Sequence, residues 1–127
     1  MKKLCFLAVA LLMFLGIGCV HKPVQPLDAR ITLSPDLYRC IHVTSVRCVR
    51  NQAGFCLFQA NVVNNSRREV ALEYKVQWLD EAGLEIESVL STWQNMAVQP
   101  GEIKGLGAVA PSKDAVDFRC YIRSLKH

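Results

Sequence analysis

The sequence predicts an all-β sandwich of about seven strands, on the strength of three observations. Apolar and polar residues alternate along several stretches. Turn-forming residues separate those stretches at short intervals. No helix-period segment follows the first eighteen residues. The chain has 127 residues, one domain's worth, and 109 remain from Cys19 onward. A domain of that size buries roughly two-thirds of its unfolded surface, enough for one two-layer core.

The elements follow in order. Lys2-Lys3 opens the chain with positive charge, and residues 4–17 are an unbroken apolar run of 14 residues. That run is shorter than the ~20 residues that span a bilayer and reads as a removable signal peptide over 1–18. Residues 19–37 are read as a cysteine followed by a tether. Pro23 and Pro26, within His21-Lys22-Pro23-Val24-Gln25-Pro26, argue against a helix and for extended chain. Residues 27–37, with Pro35, read as irregular or a short lead-in strand. The folded domain is expected over 38–127.

Its strands are expected at 39–49, 55–64, 69–79, 84–90, 93–98, 102–109 and 115–123. The clearest has Val70, Leu72, Tyr74, Val76 and Trp78 on one face and Glu73, Lys75 and Gln77 on the other, a half-buried strand. Val116, Phe118, Cys120 and Ile122 make a second apolar face. Cys56, Phe58, Ala60 and Val62 make a third. Between them lie Asn51-Gln52-Ala53-Gly54, the polar loop Asn64-Asn65-Ser66-Arg67-Arg68, Asp80-Glu81-Ala82-Gly83, Pro100-Gly101 and Pro111-Ser112-Lys113. Asp at a turn start and Gly at a left-handed position are common hairpin solutions. Short strands at this spacing suggest the immunoglobulin-like kind of sandwich. Gly105 and Gly107 weaken the sixth strand and mark a bulge or an edge.

The formal charge is +4; without Lys2 and Lys3, thirteen basic residues face eleven acidic ones, leaving +2. Apart from Arg67-Arg68 the basic residues are scattered, so nucleic acid is not an expected partner. A nucleophilic triad needs a base beside the nucleophile. The one histidine inside the expected domain core, His42, falls on the predicted face of Thr44, Val46 and Cys48, where a buried, hydrogen-bonded histidine is the simpler reading. His21 and His127 lie in tether and tail. Asp80, Glu81, Glu85 and Glu87 cluster around one hairpin and read as a solvated tip. No glycine-rich phosphate loop, C-x-x-C or H-E-x-x-H is present. Cys40, Cys48 and Cys56 are spaced by eight, which matches no zinc pattern, and no metal is expected.

In an oxidising compartment paired cysteines are expected to close where geometry permits. Centring the first hairpin on Gln52 places Cys48 opposite Cys56, Val46 opposite Phe58 and Thr44 opposite Ala60, and predicts a Cys48–Cys56 disulfide. Cys40 and Cys120 are the second candidate pair. The alternative is four buried thiols packing as small apolar groups.

Leu15-Gly16-Ile17-Gly18-Cys19 resembles a lipobox, with a small residue directly before the cysteine. The resemblance implies a diacylglyceryl group on the Cys19 thiol and a further acyl chain on its amine. Several chains together anchor stably where one is marginal. By similarity to enterobacterial lipoproteins, Val20 after the cysteine favours the outer membrane. Trp78-Leu79-Asp80-Glu81-Ala82-Gly83-Leu84-Glu85-Ile86, with Trp93, Val98-Gln99-Pro100-Gly101-Glu102, Ala110-Pro111 and Asp117-Phe118-Arg119, resembles the YcfL-like family of small periplasmic lipoproteins of unknown function. That resemblance covers 38–123 and implies a periplasm-facing β-sandwich. It brings no activity and no functional residues.

The expectation is therefore a non-enzymatic, lipid-anchored outer-membrane protein whose one covalent group is the lipid on Cys19. Its partners are the membrane and an envelope protein, held at an exposed sheet edge or loop end. The alternatives are a small-ligand carrier and a thiol-based redox protein using Cys40, Cys48, Cys56, Cys120 and His42.

Overall fold

The computed structural model describes residues 28–125; the signal segment, Cys19, His21 and His127 lie outside the described residues. Seven strands form two sheets: β1 (Ile31–Leu33), β2 (Ile41–Arg50), β3 (Cys56–Asn64), β4 (Val70–Leu79), β5 (Gln94–Val98), β6 (Ile103–Val109) and β7 (Asp117–Ser124). One sheet has the order β1-β7-β4-β5 and the other β2-β3-β6. The only helical element among the described residues is a 3-10 turn, Pro35–Leu37.

The alternation seen in the sequence becomes the core. Leu72, Tyr74, Val76 and Trp78 of β4 and Phe118, Cys120 and Ile122 of β7 face Phe58, Ala60 and Val62 of β3. The Phe58 and Phe118 ring centroids lie 4.7 Å apart, and Trp78 meets Phe118 edge-on at 6.4 Å. Such tilted and edge contacts suit the ring quadrupoles.

Four expectations need correction. First, the folded domain begins before residue 38: of the two readings of 27–37, the short lead-in strand is the one found, and 31–37 belong to the domain and not to the tether. β1 pairs in parallel with β7, Ile31 opposite Cys120 and Leu33 opposite Ile122, and Ile31, Leu33 and Leu37 are buried. Three residues are too few for periodicity to register. Second, no strand runs over 84–90. After the turn at 80–83, only Leu79 and Glu85 bridge and the Ile86 N–H bonds the Trp78 carbonyl at 2.8 Å. The chain then leaves β4, with Ile86 packed against the core and Leu84, Glu85, Glu87, Val89 and Leu90 exposed. Third, β7 starts at Asp117, leaving Val116 exposed outside it.

The fourth correction is the register of the first hairpin. Gly54 takes φ +89° and its N–H bonds the Asn51 carbonyl at 3.0 Å, while the Asn51 N–H bonds the Phe55 carbonyl. The turn ends on the residue able to adopt the left-handed conformation. Pairing then resumes with Arg50 opposite Cys56, Cys48 opposite Phe58 and Val46 opposite Ala60. From Ser45 to Val49 every partner is displaced by two residues, so inward faces are kept but identities change. A bulge at Thr44, between Val43 and Ser45, adds a further irregularity.

Candidate functional site

β5 is shorter than β4. Its ladder runs from Val98 opposite Val70 to Gln94 opposite Tyr74, so Val76 and Trp78 have no β5 neighbour. The irregular 84–93 segment passes there instead, with a turn in which the Ser91 N–H bonds the Ser88 carbonyl. Across from it ends β6, followed by Pro111. Between them lies a cavity of about 190 Å³ whose lining includes Tyr74, Val76, Trp78, Leu90, Val109 and Pro111. The Tyr74 hydroxyl donates to the Gly107 carbonyl at 3.2 Å, tying the two sheets together at its wall. The mouth is open to water, with Leu90 68% and Val109 55% exposed beside Ser91, Thr92 and Gln94. Exposed apolar side chains gathered around an apolar hollow mark an interaction site more often than a lone exposed residue does. The volume lies below the ~300–1,000 Å³ of small-molecule pockets and suits a single inserted side chain.

The cysteines and His42 are not brought together. The bulge at Thr44 turns His42 to the outer face opposite Val63, whereas Cys48 faces inward, so the two do not share a face. All four domain cysteines are free thiols. Cys48 and Cys56 are diagonal neighbours on the inward face, Cys48 lying opposite Phe58 and Cys56 opposite Arg50. Cys56 donates to the Ala115 carbonyl at 3.0 Å. The Cys40 thiol turns to the Leu37 carbonyl at 3.5 Å, and Cys120 is fully buried between β1 and β4. Burial pushes the Cys48 thiol up, and the neighbouring Cys56 adds to the shift. Burial, with Asp36 nearby, raises Cys40, and burial alone takes Cys120 to about 12. These three thiols rest protonated at neutral pH, the opposite of an activated nucleophile.

The hairpin carboxylates also have ordinary duties. Asp80 accepts the backbone N–H groups of Ala82 and Leu84, both at 2.9 Å, so it builds the turn, while Glu81, Glu85 and Glu87 are exposed. Trp93 precedes β5 and stacks against the Arg123 guanidinium at 3.8 Å; Arg123 in turn pairs with Glu73. Arg67 and Arg68 are exposed.

Sequence reasoning missed the polar groups that hold the irregular chain in place. Arg30 is clamped by Asp28 and Asp117 and lies over the Phe118 ring. Arg50 donates to the carbonyls of Gly54, Lys113 and Ala115. Asn64 is fully buried. The Asp28-Ala29-Arg30 spacing was a local signal for the first, whereas the Arg50 and Asn64 partners are too distant in sequence to read.

A family model described as a protein of unknown function, DUF1425, matches residues 29–124. No curated protein matches. Among solved structures, Campylobacter jejuni cj0090 is similar with a TM-score of 0.66 and 25% identity, covering 77% of this chain and 100% of its own. A DUF1425 family member from Shewanella sp. pv-4 is similar with a TM-score of 0.62 and 23% identity, over 68% of this chain and 80% of its own.

Proposed function

Because this chain belongs to the DUF1425 family of proteins of unknown function, we propose that it is a lipid-anchored protein-binding module of the cell envelope, YcfL-like in its landmarks. The acylated Cys19 holds it to the periplasmic face of the outer membrane. The apolar mouth formed by the 84–93 segment and the end of β6 receives a side chain of an envelope protein. The exposure of Leu90 and Val109 around a cavity of about 190 Å³ carries this reading. An isolated hydrophobe on a surface needs no explanation, but a rimmed apolar hollow does.

The test is crosslinking and pull-down from intact cells, with the captured partner identified by mass spectrometry. Leu90→Asp places a charge at the mouth without touching the core. It is expected to abolish capture while leaving the melting temperature within about 2 °C, as for most surface substitutions. Undiminished capture by that variant excludes the mouth. A hydrolase or transferase activity lost on mutating His42, with the fold intact, excludes the binding-module reading altogether.

A further inference from the structure

We propose that two copies of this chain pair antiparallel through β6, about a two-fold axis at Leu106. The observation is the strand itself. Ile103-Lys104-Gly105-Leu106-Gly107-Ala108-Val109 is nearly palindromic about Leu106: large β-branched residues at both ends, glycines flanking the centre. A strand that meets its own copy across a two-fold axis pairs each residue with its mirror; here Ile103/Val109 and Gly105/Gly107 pair like with like, while Lys104 falls opposite Ala108.

The hydrogen-bond pattern of the sheet allows this pairing. β6 is an edge strand, bonded only to β3. The Asn64 N–H bonds the Glu102 carbonyl, and the Ala110 N–H bonds the Cys56 carbonyl. In an antiparallel ladder the bonded positions alternate. Lys104, Leu106 and Ala108 therefore turn their backbone groups to Val62, Ala60 and Phe58. Ile103, Gly105, Gly107 and Val109 turn theirs away, to the open edge. Pairing about Leu106 sets Ile103 against Val109 of the second copy and Gly105 against Gly107, all four being positions with outward N–H and C=O groups. The Gly107 carbonyl already accepts from Tyr74, and its second lone pair remains.

The side chains agree. Ile103 is 67% exposed and Val109 55%, and pairing covers each with the other. The only charge in the strand is withdrawn: the Lys104 ammonium reaches across to the Ala97 carbonyl at 2.7 Å, with Glu102 at 4.0 Å. The glycines have no explanation within one copy. Neither has a positive φ, and a Cβ on either would meet nothing nearer than 3.7 Å, the Asn61 side chain for Gly105 and the Phe58 carbonyl for Gly107. Glycine inside a strand weakens it, and its usual justification is close approach of another backbone. The second copy supplies that approach. Gly107, Ala108 and Val109 also line the cavity. A second copy on this edge and an envelope protein in the mouth are therefore alternative occupants, which the identity of the Ile103 adduct separates.

The experiment uses the full lipidated protein in intact cells, with the photo-crosslinking residue benzoylphenylalanine at Ile103. The expected product has twice the chain's mass, and its adduct peptide contains Val109 of a second copy; the same probe at Gln59, on the outer face, gives none. An adduct to a different protein, or no adduct, overturns the proposal. Sedimentation of the detergent-extracted protein provides the second arm. Ile103→Lys is expected to weaken the dimer about tenfold, and adding Val109→Glu to restore it, because the new ammonium and carboxylate fall opposite each other. Both sites are exposed, so rescue separates pairing from folding. A dimer indifferent to the single change, or one not rescued by the double, also overturns it.

Discussion

Asn64 is the one fully buried polar side chain among the described residues, and it works from both ends of its amide. Its nitrogen donates to the Arg68 and Val98 carbonyls at 2.7 and 2.9 Å, and its oxygen accepts from the Ser66 N–H and hydroxyl. Its backbone bonds Glu102 and Gly101. One residue thus ties the β3–β4 loop to the crossing between the two sheets. Asn64→Leu keeps the volume and strands those carbonyls and donors in the interior. The expected loss is about 2–3 kcal/mol, because an orphaned buried polar group costs roughly that much. That is a fall in Tm of roughly 10–20 °C for a domain this size, measured by thermal denaturation; a fall under about 3 °C contradicts the role.

The cysteines give a second prediction at this scale. Cys48 and Cys56 are diagonal, not directly opposite, so their α-carbons start near the ~7 Å limit for bridging, and closure shifts the hairpin. The bond remains our proposal, now with the added expectation of strain, and strained disulfides reduce more easily. Non-reducing peptide mapping of protein from an oxidising compartment should find Cys48 joined to Cys56. Mild dithiothreitol should open the bond before global unfolding. Free thiols at both positions refute it.

At the scale of elements, the shortest strand carries the strongest consequence. β1 has three residues, yet Ile31 and Leu33 bury almost completely and its ladder closes one edge of the β7 sheet. Burying a large aliphatic side chain contributes about 1.5–3 kcal/mol. With Leu37 the segment contributes several kcal/mol, comparable with the ~5–15 kcal/mol total of an ordinary domain. A chain beginning at Tyr38 is therefore expected to be largely unfolded at 37 °C, whereas one beginning at Asp28 folds; circular dichroism separates them, and equal melting curves would be decisive against β1.

The same strand shows what a sequence can convey. β4 and β7 were legible because each repeats its alternation over eight or more residues, and the turns at 80–83 and 100–101 because glycine is needed there at φ +77° and +74°. β1 was too brief for any period. The 84–90 segment has residues that tolerate a strand, but only Glu85 and Ile86 bond to β4. The hairpin register turned on whether the turn is centred on Gln52 or on Ala53, a choice between two local minima that apolar alternation cannot make, since a two-residue shift preserves every face. The apolar mouth was illegible for a related reason: Leu90, Tyr74 and Val109 meet only because β5 stops short.

For the whole molecule, the proposed envelope role requires a means of holding a sandwich of this size at a membrane. None of its described helices is long and apolar enough to cross one, and the apolar run at residues 4–17 is shorter than the ~20 residues a span needs. Membrane attachment by covalent lipid resolves this in our proposal, and several acyl chains are required because a single one binds only marginally. The chemistry rests on one atom, the Cys19 sulfur, which lies outside the described residues. Lipoprotein processing acylates that thiol first and cleaves before it second. Cys19→Ser replaces the thiolate nucleophile with a hydroxyl and so stops both steps. The variant is expected to accumulate as uncleaved precursor, heavier by the signal peptide and lighter by the lipid, with its sandwich folded and its melting temperature unchanged, since both sheets are built from strands within residues 31–124. Mass spectrometry of the natural protein should find an acylated peptide beginning at Cys19. A Cys19→Ser protein that is cleaved and retained in the membrane like the natural one would show that something else holds it there.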